Sequence, residues 1–149
     1  MKEIKVGIIG SGSIATHKHL PGHRKVEGVS VIAVCDIDLQ RAQTFSDEHE
    51  IEHVFDSHYD LLAIPEIDAV SVCTPNNFNA EPTIAALKSG KHVICEKPIA
   101  GNAVDGRAMV DAQESSGKIL QIGLQSRFST EARTLRRLYE DGFFGHIYY

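Results

Sequence analysis

Short apolar runs, each nearly continuous in Val, Ile and Ala, recur along this chain and alternate with longer stretches of helical character. They cover residues 4–10 (IKVGIIG), 29–36 (VSVIAVCD), 67–74 (IDAVSVCT), 92–95 (HVIC) and 119–123 (ILQIG), with a weaker run at 53–55. Strands that face water on one side alternate apolar with polar residues; these do not. Unbroken apolar runs belong to parallel strands covered by helices on both faces. The intervening segments 13–26, 39–50, 80–89 and 102–116 suit crossover helices, and Gly90 and Gly117 stand where left-handed helix terminators are expected. Strand–helix alternation of this kind predicts a right-handed, doubly wound α/β sheet that is mainly parallel.

Composition narrows the class. The 149 residues are 42% hydrophobic and 23% charged, ordinary for a globular domain, and the net charge is −5. That mildly acidic balance argues against nucleic acid as a partner, because phosphate binding needs clustered Lys and Arg. No apolar run approaches the roughly 20 residues of a membrane span, and no secretory layout opens the chain. Cys35, Cys73 and Cys95, an odd count inside or ending apolar runs, read as reduced, buried thiols of a cytoplasmic protein.

The first run leads straight into Gly10-Ser11-Gly12-Ser13-Ile14-Ala15, a G-x-G-x-x-A turn opening the first helix. The first glycine allows the sharp strand-to-helix turn, the second lets a pyrophosphate approach the backbone, and small Ala15 brings helix close to sheet. The helix start then offers N–H groups and partial positive charge to phosphate. Asp36 ends the second run, 21 residues beyond Ala15. That offset suits the acid that hydrogen-bonds an adenosine ribose. A bare N-cap for the helix near Leu39 is the competing reading of Asp36, and Asp38 is better placed for it. A carboxylate accepts from a 2′-hydroxyl but repels a 2′-phosphate, and the nearest cation, Arg41, lies inside the next helix. NAD is therefore favoured over NADP.

Two further segments fall where strand ends form the ligand crevice of such a sheet: Thr74-Pro75-Asn76 and Glu96-Lys97-Pro98. A proline after a strand sets a rigid turn. Lys97, held between Glu96 and Pro98, could bond a hydroxyl or a developing alkoxide. Spacing alone leaves an ordinary surface lysine as the commoner alternative. His17, His19 and His23 cluster on the first helix without a cysteine or carboxylate at a partner position, so they read as solvated helix residues and no metal site is expected.

Together IIGSGSIATHKHLP, VIAVCDID, CTPNNF, AALKSGKHVICEKPIA and GLQSRF resemble the N-terminal half of the glucose-fructose oxidoreductase / inositol dehydrogenase (Gfo/Idh/MocA) family, in collinear order along the whole chain. The resemblance implies a Rossmann domain over residues 1–124 and an NAD(P)-dependent dehydrogenase acting at a sugar, polyol or related hydroxyl carbon. By motif, Gly10, Ser11, Gly12, Ser13, Ile14 and Asp36 would hold the dinucleotide. Thr74, Pro75 and Asn76 would line its adenosine-to-ribose side, and Glu96 would sit near the nicotinamide ribose. Lys97 would be the catalytic lysine touching cofactor and substrate hydroxyl, with Gln125 and Arg127 beside the nicotinamide. The family usually carries a histidine three residues after Thr-Pro-Asn; here that position is Asn79. It also has a second α/β domain supplying a catalytic histidine, and residues 125–149 read as the truncated start of that domain. The helix over 130–141 is expected to stop at Gly142, followed by a β-prone finish of Phe143, Phe144, Ile147, Tyr148 and Tyr149. On this reading the chain binds NAD weakly, turns over little by itself, and belongs to a homo-oligomer. The alternatives are a non-catalytic nucleotide-binding sensor that self-associates through its C-terminal strand, and a domain for another adenosine nucleotide such as S-adenosylmethionine, in which Glu-Lys-Pro has no evident role.

Overall fold

The computed structural model describes residues 3–148. Six parallel strands form one sheet: β1 (Ile4–Ile9), β2 (Val29–Cys35), β3 (His53–Phe55), β4 (Ala69–Val72), β5 (His92–Cys95) and β6 (Leu120–Ile122), in the spatial order β3-β2-β1-β4-β5-β6. Chain direction across the sheet reverses between β1 and β4, so loops on either side of that point diverge and leave a crevice at the strand C-termini. Register sets the row of residues that faces it. Ile9 lies opposite both Cys35 and Val72, and Val72 lies opposite Cys95. The residues that follow these strand ends therefore emerge side by side.

The unbroken apolar runs are buried as their pattern requires. Ile8, Val34, Val70, Val72 and Val93 pack between the two helical layers. Each such side chain contributes roughly 1.5–3 kcal/mol over leaving it exposed. The crossover helices are α2 (Leu39–His49), α3 (His58–Leu62), α4 (Ala80–Lys88) and α5 (Ala103–Ser116). Asp38 caps α2 by accepting from the Arg41 N–H, and Asn102 caps α5 by accepting from the Asp105 N–H. Gly90 and Gly117 have φ of +75° and +65°, as terminators should. The short α3 was not anticipated.

The first helix differs from the uniform 13–26 segment expected. A π-helical turn (Ala15–His19) runs into α1 (Leu20–Arg24), with Pro21 in its first turn. Proline has no N–H and its ring crowds the carbonyl four residues back, so an α-helical ladder cannot continue through it. A π-turn gives the wider spacing that relieves this crowding.

After β6 the character changes. A 3-10 turn (Gln125–Phe128) leads into α6 (Thr130–Glu140), capped by Ser129, and none of its residues is buried. Gly142 follows with φ +74°. Phe143, Phe144, Ile147 and Tyr148 are exposed and form no strand, in place of the β-prone finish expected; Tyr149 lies outside the described residues.

Candidate functional site

Gly10 begins the turn above β1. Its N–H donates to Cys35 O at 2.8 Å, and its φ is +92°. A Cβ there would stand 2.9 Å from the Cys73 carbonyl oxygen, so only glycine fits both the backbone and the space. Gly12 is the opposite case: no atom lies within 4 Å of where its Cβ would be, and the turn opens onto free space. No side chain caps the helix that follows.

Asp36 is nearly buried and fully engaged. Its Oδ2 accepts from the Ser11 N–H at 2.9 Å and from the Ser11 hydroxyl at 3.0 Å. Its Oδ1 accepts from the Asp38 N–H at 3.0 Å and lies 3.2 Å from the Arg41 guanidinium. A carboxylate offers about four lone-pair sites, and the protein uses all of them. The Arg41 side chain is 51% exposed and is the partner that can yield to a ligand. Ser11 is buried with both donors on Asp36, which makes it a brace for the acid. By position in the sequence Arg41 belongs to α2 and reads as remote from the ribose acid. The first turn of that helix nevertheless carries it back to Asp36.

A cavity of about 540 Å³ runs over this turn. Gly10, Gly12, Ser13 and Ile14 line it on one side, Asp36, Ile37 and Arg41 beyond β2, and Thr74, Pro75 and Phe78 from the β4 loop. Burial pushes the Cys35 thiol up to about 12, with Asp36 adding to the effect, and burial raises Cys73 as well. Both thiols in the cavity wall are thus neutral. All three cysteines are free and buried.

The second half of the site stands at the end of β5. Glu96 Oε1 lies 3.0 Å from His19 Nε2, each side chain 9% exposed, and Glu96 Oε2 accepts from the Lys97 N–H at 3.2 Å. The Lys97–Pro98 peptide is cis, and the Lys97 side chain is exposed. Asn79 donates to Glu96 O and Pro98 O at 3.1 and 2.9 Å and accepts from Thr74 Oγ1 at 2.8 Å. The Thr-Pro-Asn loop and the Glu-Lys-Pro turn are in this way tied together. Asn76 lies exposed on the 3-10 turn Asn76–Phe78, and Gln125 and Arg127 are exposed on theirs, outside the cavity.

The histidines correct the sequence reading. His17 is exposed and bonds the Ser13 carbonyl at 2.8 Å. His19 and His23 instead turn inward: His23 Nε2 meets Ser71 Oγ at 2.8 Å above β4. Burial, and then His19, hold the His23 pKa below its ordinary value. The signal was present in the spacing, since Ala15, His19 and His23 recur every four residues on the face that Ala15 buries. Among the described residues no group of His, Cys, Asp and Glu could hold a metal ion, and no helix is long and apolar enough to cross a membrane.

These residues fit an adenine dinucleotide. The open space over Gly12 and the uncapped helix start suit a pyrophosphate, and the yielding contact on Asp36 suits a ribose hydroxyl. Known proteins agree. D-glucoside 3-dehydrogenase of Escherichia coli (strain K12) is 35% identical over 145 residues, 97% of this chain and 41% of that protein. Scyllo-inositol dehydrogenase from Lactobacillus casei, solved with NAD(H) and scyllo-inositol, superposes with a TM-score of 0.89 at 26% identity, covering 98% of this chain and 43% of the other. The WlbA dehydrogenase from Bordetella pertussis, solved with NADH and UDP-GlcNAcA, gives 0.91 at 27% identity, covering 99% and 45%. The chain thus spans about two fifths of the length of these relatives. The model of the Gfo/Idh/MocA family, described as an oxidoreductase family with an NAD-binding Rossmann fold, matches residues 4–124. With its 3-2-1-4-5-6 strand order, its glycine turn and its braced acid, the chain belongs to that family.

Proposed function

We propose that this chain holds NAD across the crevice from Asp36 to Lys97 and serves a dehydrogenase that oxidises a CH–OH carbon of a sugar, polyol or related compound. The observation that carries this reading is the turn from Gly10 to Ile14, open above Gly12, beside Asp36 at the end of β2 and bordering the point where strand order reverses between β1 and β4. Gly12, Ser13 and Ile14 receive the pyrophosphate on backbone N–H groups. Asp36, braced by Ser11, takes a ribose hydroxyl in place of Arg41, which favours NAD over NADP. Thr74, Pro75 and Asn76 line the adenosine-to-ribose side of the cofactor.

Bound NAD⁺ supplies the carbon that accepts the hydride. Lys97 projects its exposed amine from a main chain fixed at the end of β5. It hydrogen-bonds the substrate hydroxyl and stabilises the charge that develops on that oxygen as the proton passes to the histidine that the second domain of the family would supply. Glu96 sits near the nicotinamide ribose as the support beneath Lys97, with Gln125 and Arg127 beside the nicotinamide. We read residues 1–124 as the dinucleotide domain and residues 125–149 as the start of a second domain, because α6 buries nothing against the sheet. A dehydrogenase needs water excluded from the hydride-transfer centre. By itself this chain therefore binds NAD weakly and turns over little. The free, buried thiols support a cytoplasmic setting, and the exposed apolar surface after β6 supports a homo-oligomer.

Calorimetric titration with NAD⁺ tests the reading. Heat that saturates at millimolar or lower NAD⁺, and is lost in Gly12→Val, supports it. No heat with NAD⁺ or NADP⁺ overturns it.

A further inference from the structure

Asn79 is the residue at which this chain departs from the pattern it resembles, and its surroundings give it a definite task. It occupies the N-cap position of α4, where asparagine ordinarily turns its side chain onto the helix N–H groups. Here the backbone is helical at that point (φ −72°, ψ −34°) and the side chain caps nothing. It points into the protein, 0% exposed. Both Nδ2 hydrogens are spent on main-chain carbonyls, Glu96 O and Pro98 O, which belong to the residues before and after Lys97. The oxygen is spent on Thr74 Oγ1. Those two carbonyls require donors, which fixes the amide orientation. From the other side, the Lys97 N–H is held by Glu96 Oε2, whose carboxylate is anchored on His19.

The main chain from Glu96 to Pro98 is thus gripped at three points, while the Lys97 side chain stays exposed. We infer that Asn79 is the positioning residue for Lys97: its two-donor amide sets where the Lys97 amine stands over the crevice. The inference rests on the reading of Lys97 as the group that meets cofactor and substrate. A neutral amide suits the task. An aspartate has no hydrogens for the carbonyls, and an imidazole has at most one per nitrogen in a ring of different reach. Asn77 strengthens the link, because its Oδ1 would lie 2.6 Å from a Cβ added at Gly101, so the two loops meet closely there too.

The test uses the full chain as wild type, Asn79→Ala and Asn79→His, followed by NMR with ¹⁵N amides and ¹³C-dimethylated lysines. Loss of one methyl signal in Lys97→Arg assigns Lys97. In Asn79→Ala, exchange of the Lys97 amide should rise about tenfold or more while β1 and β4 amides stay within about twofold. The NAD⁺-induced shift of the Lys97 methyl signal should fall below about half, with the NAD⁺ Kd changing less than about threefold. Asn79→His returns one donor and should recover part of both effects; it also serves if the alanine variant does not fold. Unchanged Lys97 exchange, or exchange that rises equally throughout the sheet, overturns the assignment. A wild-type Lys97 signal that ignores saturating NAD⁺ overturns the placement of Lys97 at the cofactor instead, and amide exchange then decides the role of Asn79 separately.

Discussion

The two ends of the crevice are built alike and held differently. Each has an acid directly after a strand, Asp36 after β2 and Glu96 after β5, and both oxygens of each carboxylate are held by protein partners. At the Asp36 end one of those donors is Arg41, half in solvent, on a long side chain that can swing away. At the Glu96 end the partners are a buried histidine side chain and a main-chain N–H, neither of them a long side chain in solvent. The first end can trade a protein contact for a ligand contact. The second is a fixed support that presents the exposed Lys97 side chain.

Asp36→Ala should break the comparison most. NAD affinity should fall about ten- to hundredfold, as loss of a charge-assisted hydrogen bond implies, and NADP affinity by less. Titration with both coenzymes checks this, and an unchanged NAD-to-NADP ratio would remove the ribose role. Glu96→Gln keeps the shape but weakens the bond to His19. It should cost about 1–2 kcal/mol of stability in urea unfolding, with NAD affinity altered by less than about threefold. A larger loss of affinity than of stability would make the Glu96 end a ligand contact after all.

The His23 contact gives a third handle, through pH. Burial holds its folded pKa below the unfolded value near 6.5, so the unfolded chain takes the proton first. This contribution is complete above pH 6.5, shrinks as the pH falls toward the folded pKa, and stays lost below it. Thermal unfolding between pH 7.5 and 5 should show a fall of a few degrees that His23→Asn flattens. Smallest of all, Arg41→Ala should tighten NAD binding by up to about threefold, because the ribose hydroxyl no longer competes with the guanidinium; exposed ion pairs of this kind contribute little.

The sheet was legible in the sequence because burial on both faces demands unbroken Val and Ile, and few other arrangements use such runs. The start of the glycine turn was legible for a related reason: a backbone at φ +92° beside a carbonyl leaves one residue type that fits at Gly10. What escaped lay in side-chain direction. Nothing local to Asn79 says that it declines its cap and reaches the Glu-Lys-Pro turn, 17 residues away at Glu96. Ser11 and Arg41 converge on Asp36 only when β1, β2 and α2 are assembled. His19 and His23 were misread because charge-capable residues on a helix are usually solvated, whereas here Glu96 and Ser71 offer polar seats inside. The short α3 and the 3-10 turns carry too few residues for a periodic signal.

The π-turn between Ala15 and His19 also sets the angular frame of everything after it on that helix. It accommodates a surplus residue, and each residue advances an ordinary helix by about 100°. Deleting one residue there would close the turn to α-helical spacing, leaving the glycine turn and the residues beyond the turn in phase with the sheet but restoring the crowding at Pro21. The extra residue thus lets one short helix carry a proline and still present His23 to Ser71.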